Sequence, residues 1–111
     1  MVFEPDFLKA AVGDVLVFRT TQGGGHHTES VLVPNGAKPW HGDNDVETRV
    51  PLKAEGVYLY ICDPHLSVGM VGVVQVGRPN NLAAAQKVVA EHEKKIMLNQ
   101  GRFTAALRQV K

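Results

Sequence analysis

Cysteine is almost absent from this 111-residue sequence: Cys62 is the only one, which excludes an intramolecular disulfide. No apolar run approaches the ~20 residues that a membrane-spanning helix needs. A formal net charge of +1 gives no overall attraction to nucleic acid or to anionic membranes. With 44% hydrophobic and 21% charged residues, the composition is that of one globular domain. A lone thiol is unusual in an oxidising compartment unless a metal holds it as thiolate.

The N-terminus lacks the features of a secretory leader. Glu4 and Asp6 are acidic, and residues 1–11 contain no apolar core segment. Read literally, the sequence therefore predicts a cytoplasmic protein.

Short apolar runs separated by turn residues fill the first three quarters of the chain. Such a pattern predicts an all-β sandwich or barrel. The candidate strands are Val15–Phe18, Ser30–Val33, Val46–Val50, Val57–Cys62 and Val71–Val76.

The composition changes at residues 77–81, after which Ala, Lys, Glu and Gln dominate. Asn80 or Asn81 can cap a first helix, and Gly101 can end it before a second, shorter one. Helical periodicity predicts inward-facing positions at Leu82, Ala85, Val89, His92 and Ile96, and then at Phe103, Ala106, Leu107 and Val110. We expect both helices to pack on the sandwich; a docking helix for a partner is the alternative.

The segment between the last two candidate strands carries Cys62, His65 and Met70 in a C-x2-H-x4-M pattern. Thiolate, imidazole and thioether form a soft ligand set. A second histidine would complete the trigonal site of a blue-copper centre, with methionine as the long axial ligand. His26 or His27 can supply it, because loops distant in sequence meet at one end of a Greek-key sandwich.

Other interpretations of these residues fit less well. Cys62 and Met70 taken singly are typical core residues. A catalytic Cys–His pair needs an orienting base and an oxyanion site, which the sequence does not offer. A structural zinc site usually has four strong ligands. A copper storage or delivery module remains an alternative function, although delivery favours exposed ligands that release the metal.

Three further features are interpreted as structural. The Tyr58 hydroxyl is expected to tie down a corner of the Greek key. Trp40 and His41 lie in a turn-rich stretch and are expected at the surface. Gly23–Gly25 lacks the ending of a phosphate-binding loop and is interpreted as a flexible turn.

Several segments resemble pseudoazurin, as do the two C-terminal helices. They are Val2–Pro5, Leu8-Lys9, Gly13-Asp14, Gly56–Tyr58, Cys62–His65 and Gly69–Gly77. The resemblance implies a mainly β, Greek-key cupredoxin fold with two C-terminal α-helices. Residues 1–78 would form the cupredoxin domain and residues 79–111 a helical extension packed on it. It further implies one type 1 copper ion and soluble, non-enzymatic transfer of single electrons between Cu(II) and Cu(I).

In that family the first ligand histidine is followed by asparagine. Matching the pattern places the ligand at His26, with His27 in the asparagine's position. The implied metal ligands are therefore His26, Cys62, His65 and Met70, with His27 still open as a rival. The substitution puts in question the hydrogen bond that the asparagine makes beside the ligands.

The resemblance also implies a periplasmic protein with a cleaved signal peptide and an additional first strand, which this sequence lacks. We therefore expect that it begins at an internal methionine. The implied partners are redox proteins such as copper-containing nitrite reductase, docking on a monomer at its copper end near Pro64, His65, Leu66 and Val68. Neither nucleic acid nor a membrane is an expected partner. Ile61 and Gly23–Gly25 stand where lysines would be expected, so electrostatic steering should be weaker.

Overall fold

The computed structural model describes residue 3, residues 5–19 and residues 25–111. The Gly23-Gly24 part of the expected glycine turn lies outside these residues. Within the described ranges the elements are β1 (Phe7–Ala10), β2 (Val15–Phe18), β3 (Glu29–Leu32), β4 (Thr48–Pro51), β5 (Gly56–Ile61), a 3-10 helix (Asp63–Val68), β6 (Val71–Val76), α1 (Leu82–Glu93) and α2 (Arg102–Leu107).

The strands form two sheets. One has the order β1-β6-β5-β3, and the other pairs β2 with β4. Only β1 runs parallel to its neighbour among these pairings, with Phe7 opposite Val73 and Ala10 opposite Val76. All five predicted strands are present, with bounds that differ by no more than two residues. β1 was not predicted, because its short sequence carries no pattern of its own and its partner strand lies far along the chain.

The two central strands, β5 and β6, are buried on both faces. Because side chains alternate along a strand, Val57 and Leu59 face one core while Tyr58 and Tyr60 face the other. The first core lies between the four-stranded sheet and the helices, and the second between the two sheets. Gly72 leaves room for the Tyr60 ring on the neighbouring strand, since a Cβ there would overlap that ring.

The two helices pack on the four-stranded sheet, as expected. Ala85 and Val89 of α1 and Phe103 of α2 are buried in the same core as the strand side chains. α1 ends at Glu93, earlier than predicted. The chain leaves the helix there, and the N–H groups of residues 97 and 98 donate instead to the carbonyl of Ser67.

Asn81 lies at the start of α1, but its side chain does not cap the helix. Instead, its Oδ1 accepts the N–H of Val57 at 2.7 Å and its Nδ2 donates to the carbonyl of Val57 at 3.0 Å. Asn81 thus occupies the predicted N-cap position, but its side chain makes no capping hydrogen bond. The amide satisfies the backbone at the start of β5 and so joins the helical extension to the strand that leads to the candidate site.

The expected corner at Tyr58 is present, since its hydroxyl donates to the carbonyl of Ala54 at 2.7 Å.

Trp40 was expected at the surface, but it is half-buried against the second core. Its indole N–H donates to the Thr28 hydroxyl at 3.1 Å. His41 is exposed, as expected. In the described part of the chain, no helix is long and apolar enough to span a bilayer.

Glu93 closes the turn between the two helices. Its carboxylate accepts the N–H of Gly101 at 3.0 Å and both the N–H and the hydroxyl of Thr104, at 2.8 and 3.0 Å. Burial by itself would raise the pKa of Glu93, but these hydrogen bonds outweigh it and the pKa lies below the usual value of 4.5. The ionised form therefore stabilises the folded chain above that value, and the stabilisation is lost as the pH falls through the folded-state pKa.

Glu93→Ala is expected to lower the free energy of unfolding by about 1–3 kcal/mol near neutral pH, because charged hydrogen bonds are lost. The deficit should shrink in acid. Urea unfolding of the metal-free protein across a pH series measures both effects. Glu91→Ala, an exposed carboxylate on the same helix, is the matched control. A deficit that stays constant through acid pH would contradict the assigned role.

Candidate metal centre

The loop between β5 and β6 is closed on itself by backbone hydrogen bonds. The N–H of Cys62 donates to the carbonyl of Met70 at 2.9 Å, and the N–H of Met70 donates to that of His65 at 3.2 Å. Gly69 ends the 3-10 helix at a φ of 82°, a left-handed conformation that favours glycine. The loop therefore returns to the sheet with residues 62, 65 and 70 held at one end of the sandwich.

The helical extension braces this loop from outside. The N–H groups of Met97 and Leu98 donate to the carbonyl of Ser67 at 2.7 and 2.9 Å. The Asn99 side chain donates to the carbonyl of Val68 at 3.0 Å. These contacts restrict the movement of the loop that carries three of the predicted ligands.

A second stretch of chain reaches the same end of the sandwich. The N–H groups of Gly25 and His26 donate to the two carboxylate oxygens of Asp45, at 3.0 and 3.1 Å. The N–H of Asp45 in turn donates to the carbonyl of His26 at 2.6 Å. Asp45 adopts a φ of 58°, which is uncommon for a residue with a side chain. His26 is therefore fixed by a residue that the sequence did not single out.

His26, Cys62 and His65 form one cluster, in which the possible ligand atoms lie within 4.8 Å of one another. The Cys62 sulfur is 3.3 Å from Nδ1 of His65, and the two imidazole rings are 4.5 Å apart between centroids. Cys62 is fully buried. The two stretches thus bring together three of the four predicted ligands.

Nδ1 of His26 is buried and has no hydrogen-bond partner among the described residues. Leaving such a nitrogen unpaired costs about 1–3 kcal/mol, so buried polar atoms of this kind usually have a specific explanation. A metal bound by this nitrogen, the thiolate and the second imidazole would explain it. One cysteine sulfur and two imidazole nitrogens are donors typical of a blue-copper site, so the residues present fit a copper ion.

Met70 is buried, with 6% of its surface exposed, and directly precedes β6. Its backbone carbonyl and N–H form hydrogen bonds with the backbones of Cys62 and His65, respectively. The structure therefore holds the fourth predicted ligand at the same end of the sandwich as the other three.

The surroundings of Cys62 and His65 favour the neutral forms of these two side chains. Burial raises the pKa of the Cys62 thiol, and hydrogen bonds from the backbones of His27 and His65 partly oppose this. Burial, followed by the neighbouring His26, lowers the pKa of His65. An imidazole without its second proton is ready to bind a metal, whereas the thiol must release its proton to do so.

His27 lies outside this cluster. Its backbone N–H donates to the Cys62 sulfur at 3.4 Å, while Nδ1 and Nε2 of its ring lie 3.0 and 3.1 Å from oxygens of Asn44 and Glu29. The hydrogen bond to the sulfur comes from the backbone and so does not require asparagine at this position. The structure therefore groups His26, and not His27, with the thiol.

The residues expected at a docking surface differ in their exposure. Pro64 is exposed and His65 is half-buried. Leu66 is only 7% exposed and packs in the core with the helices, so it is not part of a docking patch. Side chains alternate between two faces in a strand but not in a 3-10 helix. The sequence pattern therefore did not show that Leu66 points into the core.

A family model described as copper binding proteins of the plastocyanin/azurin family matches residues 1–77. The chain belongs to this family. It is 38% identical over 89 residues to pseudoazurin from Paracoccus pantotrophus, covering 78% of this chain and 61% of that protein. It is 37% identical over 97 residues to pseudoazurin from Methylorubrum extorquens, covering 85% of this chain and 64% of that protein. The chain thus spans less than two thirds of the length of these relatives.

Solved pseudoazurin structures match the whole chain. Native pseudoazurin from Hyphomicrobium denitrificans superimposes with a TM-score of 0.81 at 34% identity, covering all of this chain and 86% of that one. Pseudoazurin from Methylobacterium extorquens AM1 gives the same TM-score at 32% identity, with coverage of 100% and 88%. The expected pseudoazurin resemblance, cupredoxin fold and copper cofactor are confirmed.

Proposed function

We propose that this protein is a type 1 blue-copper electron carrier and not an enzyme. Nδ1 of His26, the Cys62 thiolate and Nδ1 of His65 would hold the metal, with Met70 as axial ligand. The bound copper would supply a one-electron couple between Cu(II) and Cu(I). One observation carries the proposal: the buried Nδ1 of His26 has no hydrogen-bond partner among the described residues. It lies beside a buried thiol and a second imidazole.

The surrounding chain provides the rigidity that fast electron transfer needs. Cu(I) and Cu(II) prefer different geometries, so a frame that prevents the ligands from moving lowers the reorganisation on each transfer. Asp45 holds the stretch with His26, and the Met97–Asn99 segment braces the loop with His65. The N–H of His27 donates to the sulfur and would stabilise its thiolate form.

His65 is the proposed electron port, because it is half-buried and follows the exposed Pro64. A redox protein docking here would approach the metal through the imidazole edge. We propose a periplasmic partner such as a copper-containing nitrite reductase, with the carrier acting as a monomer. Ile61, where a family lysine would be expected, is 4% exposed and adds no charge to this surface. We therefore expect electrostatic steering of docking to be weaker than in the family, and so to depend less on salt.

Voltammetry of the copper-loaded protein tests the carrier function. We expect a reversible one-electron wave over repeated cycles without loss of copper. Met70→Leu should keep the metal but raise the reduction potential, because the axial ligand tunes it. Met97→Leu, at a methionine that is 71% exposed, is the matched control and should leave the potential unchanged. Release of copper on reduction would instead indicate storage or delivery, and complete loss of copper in Met70→Leu would refute the axial role.

A further inference from the structure

A second group of ligand side chains lies beside the copper centre and is not used by it. His27, Glu29 and His41 place possible ligand atoms within 4.8 Å of one another. Nε2 of His27 is 3.1 Å from Oε1 of Glu29, and Nε2 of His41 is 4.0 Å from Oε2. The rings of His27 and His41 stack with centroids 5.0 Å apart. Each carboxylate oxygen therefore faces a different imidazole.

The backbone explains why these three side chains meet. Glu29 begins β3 and His27 lies two residues before it, and side chains at this spacing share one face of an extended chain. His41 forms an isolated antiparallel bridge with Glu29. The bridge is flanked by hydrogen bonds from Gly42 N–H to the carbonyl of Thr28 at 2.8 Å and from Ser30 N–H to that of Trp40 at 3.0 Å. The backbone pairing at this isolated bridge thus holds the three side chains together.

Asn44 orients the most buried of the three ligands. Its Oδ1 lies 3.0 Å from Nδ1 of His27, whose side chain is 7% exposed. Nε2 of the same ring faces Oε1 of Glu29, so a cation bound between them would have one nitrogen and one oxygen donor. Metal-binding histidines usually donate their other N–H to an oxygen in this way.

We propose that His27, Glu29 and His41 form a second metal site, for a divalent transition ion such as Zn²⁺. Two imidazoles and one carboxylate are the protein ligands of many zinc sites that keep a position for water. Calcium and magnesium prefer all-oxygen sites and are disfavoured here. The site opens to solvent on the side of His41, whose side chain is 68% exposed. It contains no thiolate, so a metal there gives no blue colour.

The two sites meet at one residue. The backbone N–H of His27 faces the Cys62 sulfur, while its ring belongs to the second site. The His27 ring would therefore serve the second site without removing the backbone hydrogen bond to the sulfur.

Titration of the copper-loaded protein with Zn²⁺, followed by calorimetry and by visible absorption, tests the proposal. One Zn²⁺ should bind per chain while the blue absorption persists. His41→Ala and Glu29→Gln should each weaken binding at least about tenfold. Retained colour in these variants shows that they are folded. His92→Ala, at the histidine on α1, is the matched control and should bind Zn²⁺ like the parent protein.

Three outcomes would overturn the second site. Zn²⁺ uptake accompanied by loss of colour would mean displacement of copper. Equal affinity in the parent protein and His41→Ala would place the ion elsewhere. An absence of uptake would leave His27 and Glu29 as a simple ion pair.

Discussion

Cys62→Ser is expected to abolish the intense visible absorption of the copper-loaded protein. That absorption arises from charge transfer between a thiolate and Cu(II), and a serine oxygen cannot supply it. Cys62 is fully buried, and its sulfur lies 3.3 Å from Nδ1 of His65. Serine is close in size to cysteine, so the cavity and the surrounding backbone should persist. The change therefore isolates the ligand atom.

Visible absorption and copper content after loading measure this effect. Ser67→Ala, at an exposed residue of the same loop, is the matched control and should remain fully coloured. Circular dichroism confirms that both variants are folded. A Cys62→Ser variant that keeps its colour would exclude Cys62 as a ligand, and a parent protein that binds no copper would refute the whole centre.

His26→Ala should also remove the blue colour, whereas His27→Ala should leave it. Nδ1 of His26 is buried, unpaired within the described residues and grouped with the thiol. Both ring nitrogens of His27 lie instead against oxygens of Asn44 and Glu29. The alanine introduced by His27→Ala retains the backbone N–H that faces the sulfur, so the centre should survive with a small spectral change.

The two variants are controls for each other, because they remove the same side chain from neighbouring positions. Loading each with Cu²⁺ and recording the visible spectrum decides between them. The reverse outcome, with colour in the His26→Ala variant only, would move the ligand to His27. It would also remove His27 from the proposed zinc site, which makes the two assignments jointly testable.

The sequence supported the general architecture because its strands and helices are encoded locally. Val71–Val76 is a run rich in valine, typical of a buried strand. Phe103, Ala106, Leu107 and Val110 recur at the spacing of one helix face. β1 was missed because Phe7–Ala10 becomes a strand only through its pairing with β6. A local rule predicted a helix cap at Asn80 or Asn81. Asn81 does occupy the N-cap position, but tertiary packing directs its amide to Val57.

For the site, the sequence by itself predicted that Cys62, His65 and Met70 lie together, because all three belong to one short loop. It also indicated a second histidine and narrowed it to His26 or His27. Only the tertiary structure showed which ring faces the thiol, since that depends on Asp45, a residue from a different loop. It alone brought His41 opposite Glu29, because that contact is a cross-strand bridge. Spacing along a chain determines which residues are neighbours in one loop or on one face. Strand pairing determines which distant side chains meet.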